Sequence, residues 1–329
     1  MEQAHPLQDA FGRRFSYLRL SLTDICNFKC SYCLPNGYQK CGDAAPMTRD
    51  EILRLVRAFA GLGIWKVRIT GGEPTLRPDF IEIAESISRI EGIRKLALTT
   101  NGYKLPERAL GYRLAGINAI NLSIDSLDNK RFAQITGHDR LAEVMHGLDV
   151  CEHAGFSSIK INAVLLKGLN DKELSGFLEL VKHRPVSVRF IELMRTNDNA
   201  DYFKEHHLSA ALIAENLEGL GWKRKDRELG AGPAQEFWHP EHAGCIGLIA
   251  PYSKDFCKSC NRLRVSSRAE MHLCLFGEGG YPLRDLLQHD DQRQELQEKI
   301  MSLLGYKREA HALHQGCSGA TQHLASIGG

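Results

Sequence analysis

YLRLSLTDICNFKCSYC, Tyr17 to Cys33, runs a strand straight into a cysteine cluster. Leu18, Leu20 and Leu22 alternate with Arg19, Ser21 and Thr23, the period-2 pattern of a strand with one apolar and one polar face. Cys26, Cys30 and Cys33 follow as C-x3-C-x2-C. Three thiols on one short loop can hold three corners of an iron–sulfur cluster. Three protein ligands with a position left open characterise a reactive metal site rather than a structural one. The x3/x2 spacing is unusual for zinc, which favours C-x2-C pairs.

Working outward, the same strand pattern recurs at Lys66–Thr70, Lys95–Thr100, Ala119–Asp125, Ser158–Leu165 and Ser187–Glu192. Segments with helical apolar spacing lie between them: Thr48–Leu62, Pro78–Ile90, Pro106–Ala115, Asn129–Ala154 and Asp171–Lys182. Thr48 with Glu51 three residues on is a capping box. Gly63, Gly92, Gly116 and Gly155 stand where C-terminal helix caps belong. Six βα units predict a parallel sheet, as a partial barrel or an open doubly wound array. Parallel sheets are ordinarily apolar on both faces. Here one face carries Arg19, Lys66, Arg68, Lys160 and Arg189, with Asn121, Ser123 and Asp125. A sheet curled around a cavity for a polar ligand accounts for this; a solvated face is the plainer alternative.

The chain has 329 residues, 43% hydrophobic and 25% charged, which excludes a disordered or collagen-like protein. Its 42 basic and 40 acidic residues give a net charge of +2, against the basic excess of a general nucleic-acid binder. There is no apolar run long enough to span a membrane and no signal-peptide pattern, so a cytoplasmic protein is expected. In that compartment ten cysteines point to metal or redox chemistry rather than disulfides.

Cys257, Cys260 and Cys274 form a second group, C-x2-C-x13-C. Spacing alone also allows a zinc site completed by His272 or Cys245. Arg262 and Arg264 follow it and share a strand face. Cys41, Cys151, Cys245 and Cys317 belong to no motif; Cys151 fits a helix core. No G-x4-G-K-[ST] is present, so no P-loop holds a nucleotide.

C-x3-C-x2-C with Tyr32 before its last cysteine, and Gly71-Gly72-Glu73-Pro74 ending the second strand, resemble the radical S-adenosylmethionine (SAM) superfamily. That resemblance implies a partial (βα)6 TIM-type barrel over residues 10–232, with Cys26, Cys30 and Cys33 holding a [4Fe-4S] cluster. SAM would chelate the open iron and be cleaved to a 5′-deoxyadenosyl radical. Tyr32, Gly72, Ser123 and Met194 would line the SAM site; core packing is the competing role for Met194. Residues 233–329 would form an auxiliary iron–sulfur domain.

The segment Cys257-x2-Cys260-Asn261-Arg262-x-Arg264, its spacing from Cys274-Leu275-Phe276, and the terminal Gly328-Gly329 are similar to the GTP 3′,8-cyclase family. The similarity runs through Thr99-Thr100-Asn101-Gly102 and Arg189–Met194. It implies a second [4Fe-4S] cluster at Cys257, Cys260 and Cys274 that meets the guanine of GTP. Arg19, Arg68, Thr99, Lys160, Arg262, Leu263 and Arg264 would hold GTP, with Lys66 and Arg189 as further candidates. The Gly328-Gly329 tail would reach the active site. The chemistry implied is abstraction of the ribose C3′ hydrogen and C3′–C8 bond formation, the first step of molybdenum cofactor biosynthesis. The expected partners are an external flavodoxin-type electron donor and cyclic pyranopterin monophosphate synthase, which takes the product, with the enzyme as monomer or homodimer and neither nucleic acid nor membrane involved. A radical SAM peptide-modifying enzyme and a metal-stabilised nucleic-acid-binding protein are the competing readings.

Overall fold

The structure is a computed structural model describing residues 7–40, 45–227, 230–321 and 324–328. Cys41 and Gly329 lie outside the described residues. Eight parallel strands carry the architecture: β1 (Tyr17–Ser21), β2 (Lys66–Thr70), β3 (Lys95–Thr100), β4 (Ala119–Ser123), β5 (Ser158–Leu165), β6 (Ser187–Glu192), β7 (Cys245–Ile249) and β8 (Arg262–Val265). Their order across the sheet is β8-β1-β2-β3-β4-β5-β6-β7. Short antiparallel strands extend both ends, Glu270–His272 and Tyr281–Pro282 beyond β8, Gln235–Trp238 and Lys223–Arg224 beyond β7. Among the described residues the two ends do not pair with each other, so this is an open, partial barrel.

β1 to β6 alternate with helices, as the periodicity predicts. β7 and β8 come from the C-terminal segment and flank that six-strand core, β7 beside β6 and β8 beside β1. Neither belongs to a βα repeat, so helical periodicity gave no sign of them. Among the described residues, no helix is long and apolar enough to cross a membrane.

The apolar face of each strand packs outward against the helices. Leu18, Leu20, Val67, Ile69, Leu96, Leu98, Ile120, Leu122 and Ile161 are buried there. Each such side chain contributes about 1.5–3 kcal/mol by leaving water. Cys151 packs in this layer, fully buried on its helix.

Helix Arg49–Gly61 opens on the expected capping box, Thr48 accepting from the Glu51 N–H and Glu51 from the Thr48 N–H. Glu51 also accepts from Arg284 Nε at 2.9 Å, which ties the C-terminal segment to the core. The helix expected over Asn129–Ala154 is two, Asn129–Thr136 and Leu141–His153. Gly137 separates them at φ 74°, a left-handed value that ends the first helix. A short helix, Ala200–His206, had no periodic signal because none of its residues is buried. The C-terminal helix Arg293–Leu304, polar in composition, buries Leu296, Ile300, Leu303 and Leu304 along one stripe.

Candidate active site

Register places the cations in rows. Arg264, Arg19 and Arg68 stand side by side on β8, β1 and β2. One pleat away, Arg262, Tyr17, Lys66 and Lys95 form a second row on β8, β1, β2 and β3. Like charges on neighbouring strands repel. They are nonetheless turned inward, Lys66, Arg68, Arg189 and Arg264 being buried. The polar strand faces are therefore not a solvated surface. They line an interior cavity of about 1150 Å³.

Both cysteine groups line that same cavity: Cys26, Cys30 and Cys33 on the loop after β1, and Cys257, Cys260 and Cys274 on the chain around β8. All six are free thiols. Backbone N–H groups of Phe28 and Phe276 donate to Cys26 Sγ and Cys274 Sγ, each at 3.5 Å. Burial pushes the Cys26 thiol up to about 11 and the Cys33 thiol to about 12. Burial also raises Cys30 well above its ordinary value, with Asp125 adding to the effect. Thiolates in such a place need a positive metal centre to exist, which a cluster held by these three residues would provide. The second group is set differently. Burial would raise Cys260, but Arg262 and Lys307 outweigh it and bring the thiol to about 7. Among the described residues no three His, Cys, Asp or Glu side chains converge on a point that would hold a single metal ion.

The Gly71-Gly72-Glu73 turn fixes the first cysteine loop. Gly72 N–H donates to Thr23 O and Glu73 N–H to Ile25 O, both at 2.8 Å. A β-carbon on Gly72 would strike the carbonyls of Ile25 and Asp24. The close approach these glycines permit is thus that of the chain's own loop. Glu73 is fully buried. It accepts from the Thr75 N–H and hydroxyl, the Thr100 hydroxyl at 2.9 Å and the Asn101 N–H at 2.7 Å. It joins the ends of β2 and β3.

The remaining sequence-predicted residues distribute as follows. Tyr32, Gly72, Ser123 and Met194 line the cavity. The Tyr32 hydroxyl donates to Asp125 at 2.9 Å, and burial raises the Asp125 carboxyl to about 6. Met194 packs beside Leu275, Phe276 and Ile327. Arg19, Lys66, Arg68, Thr99, Lys160, Arg189, Arg262 and Arg264 also line it. Arg68 donates to Thr99 Oγ1 at 3.2 Å and to the Tyr17 hydroxyl. Leu263 does not line it: its side chain is fully buried in the outer core, so it offers a ligand no side-chain contact. Gly328 sits against Thr70, its carbonyl accepting from Arg264. Lys225 donates to Cys245 Sγ, and Cys317 is exposed.

Sequence reasoning missed three residues. Tyr17 lies among Arg68, Arg19 and Lys66; burial raises its phenol, but those cations prevail and lower it to about 7. It shares the period-2 face of Arg19 and could have been read with it. Glu236 accepts from Arg189 at 2.9 Å and lies 3.5 Å from Lys160. Arg13 binds the Cys257 carbonyl at 3.2 Å and those of Glu309 and Arg308. No motif marks either.

A partial parallel barrel with C-x3-C-x2-C after its first strand defines a class, and residues 20–181 match the Radical SAM superfamily. Residues 186–313 match Molybdenum Cofactor Synthesis C. A GTP 3′,8-cyclase of Stenotrophomonas maltophilia strain K279a is 56% identical over 98% of this chain and 99% of its own. That of strain R551-3 is 57% identical over the same shares. That of Aeromonas hydrophila is 55% identical over 98% of this chain and 96% of its own. The chain belongs to the GTP 3′,8-cyclase family.

Proposed function

We propose that this protein is a radical SAM lyase that converts GTP to (8S)-3′,8-cyclo-7,8-dihydroguanosine 5′-triphosphate, the first step of molybdenum cofactor biosynthesis. One observation carries the reading: two three-cysteine groups and two rows of cations line a single cavity.

Cys26, Cys30 and Cys33 would hold a [4Fe-4S] cluster, and Cys257, Cys260 and Cys274 a second. With SAM bound, such a cluster would supply the electron for reductive SAM cleavage; the hard chemistry is the cofactor's. The chain's own residues bind, orient and shield. Tyr32, Gly72, Ser123 and Met194 stand beside the first group to position SAM. Arg19, Arg68, Arg262 and Arg264, with Lys66, Lys160 and Arg189, suit a triphosphate of about four negative charges, which relieves their mutual repulsion. Thr99 keeps Arg68 aimed inward. Gly328 brings the tail against Arg264, and Leu324 and Ala325 just before it line the cavity. The free thiols suit the reducing cytoplasm, and an external one-electron donor of the flavodoxin type supplies the first cluster. The product passes to cyclic pyranopterin monophosphate synthase.

The test is anaerobic incubation of the reconstituted protein with SAM, GTP and a low-potential reductant. Formation of 5′-deoxyadenosine together with a cyclised GTP derivative is expected. Deoxyadenosine that forms without any change in GTP would remove the cyclase reading and favour another radical SAM substrate.

A further inference from the structure

Glu236 is a carboxylate inside a cavity otherwise dominated by cations. It lies on the antiparallel strand Gln235–Trp238, opposite Gly247 of β7, which in turn lies beside Arg189 of β6. Arg189 therefore has to cross a whole strand to reach it, and Gly247 is what permits the crossing. A β-carbon at 247 would come within 3.1 Å of Arg189 Cγ. With glycine there, the guanidinium reaches over and donates to Glu236 Oε1 at 2.9 Å. Lys160, on β5, approaches the same oxygen at 3.5 Å. Burial alone would raise the Glu236 carboxyl; Lys160 and Arg189 hold it below the usual range, so it is ionised.

Two of the cations assigned to the triphosphate are thus already paired. We propose that Glu236 is a built-in counter-ion that competes with the nucleotide's phosphates for Lys160 and Arg189. By that competition it sets how much phosphate charge a nucleotide must carry to bind. The inference rests on the GTP reading above and adds a residue to it. The physical argument is an exchange of partners. A carboxylate tethered beside two cations is present at high effective concentration. A ligand gains from those cations only what exceeds the pairing it displaces. A triphosphate exceeds it comfortably; a diphosphate or monophosphate does so less. Glu236 also keeps Lys160 and Arg189 extended into the cavity while no anion is bound, which limits their repulsion. It acts through those two side chains and is a positioning residue.

The test is titration calorimetry of GTP, GDP and inorganic tripolyphosphate into the cluster-loaded protein, wild type against Glu236→Gln. The side chain is 30% exposed, so the isosteric amide is accommodated; Glu236→Ala is run beside it as a second variant. Both variants are expected to tighten GDP about tenfold and GTP and tripolyphosphate by less, so that the preference for GTP over GDP narrows. KM for GTP falls with kcat nearly unchanged, and Glu236→Asp restores the wild-type preference. Unchanged or weakened anion binding in both variants overturns the inference. Weakening seen only with Mg²⁺ present also overturns it and makes Glu236 a ligand of the nucleotide's metal. Failure of the wild-type protein to bind GTP at all would instead count against the GTP reading itself.

Discussion

Arg264 donates from Nη1 to the carbonyl oxygens of Ile327, at 3.0 Å, and of Gly328. A buried arginine of the cation row thus holds the end of the chain inside the barrel. The carbonyls of Ile327 and Gly328 satisfy part of a guanidinium that would otherwise stand in low dielectric among like charges.

Gly328 is at φ 66°, and a β-carbon there would strike Thr70 at the end of β2. Gly328→Val should expel the tail. Loss of cyclised product with continued deoxyadenosine formation is expected, measured by chromatography, and the thermal midpoint should stay near wild type because the outer core is untouched.

Gly72→Ala should act on the first cysteine loop, since its β-carbon meets the carbonyls of Ile25 and Asp24. Displacing that backbone moves Cys26. The expected result is about four irons per chain in place of about eight after reconstitution, and no SAM cleavage. A full iron complement would show that the loop yields without cost.

Glu73→Gln swaps one accepting oxygen of a fully buried carboxylate for an amide donor. Both oxygens face donors: the Thr75 N–H and the Thr75 and Thr100 hydroxyls at one, and the Asn101 N–H at the other. The amide nitrogen must face one of these. The cost should be about 1–3 kcal/mol of unfolding free energy, read by denaturant titration.

Burial, with Arg189 adding to it, lowers Lys160 to about 7. As pH rises through 7 the empty cavity progressively loses the Lys160 ammonium, and with it that cation's pairing to Glu236, while the triphosphate favours the ammonium. GTP binding should take up a proton, and affinity should fall as pH rises from 7, by at most about tenfold per unit from this group. Calorimetry in buffers of different ionisation enthalpy reads that uptake directly. In the free protein the sign reverses. The unfolded chain binds more protons at this lysine between pH 7 and its ordinary 10.5, so its contribution to stability improves as pH rises across that window.

Cys30→Ala and Cys260→Ala should each halve the bound iron but differ in activity. The first should abolish SAM cleavage; the second should keep it and lose the cyclised product. Zinc found at the second group would remove the two-cluster assignment.

Much of the site was legible because its residues obey local rules. Cys26, Cys30 and Cys33 are bound by spacing on one loop, and β2, β3, β5 and β6 begin and end where period-2 alternation begins and ends. The cations on β1, β2, β5 and β6 could be assigned to one face by counting alternate residues. One local break and one non-local contact were missed. The break at Gly137 was hidden inside a continuous apolar pattern. Arg13, far from Cys257 in sequence, meets it through a backbone carbonyl that no motif encodes.

Spacing and alternation act within a few residues, so the repeating βα core, the two cysteine groups and the positive polar face could be read directly from local sequence. Tertiary structure decided what those parts face. It set β8 beside β1, which aligns Arg264 with Arg19 and Arg68 and brings the second cysteine group to the cavity of the first. It also set Glu236 against Lys160 and Arg189, and Gly328 against Arg264. Strand pairing between distant segments is chosen by burial and backbone hydrogen bonding over the whole sheet. No short stretch of residues carries that choice.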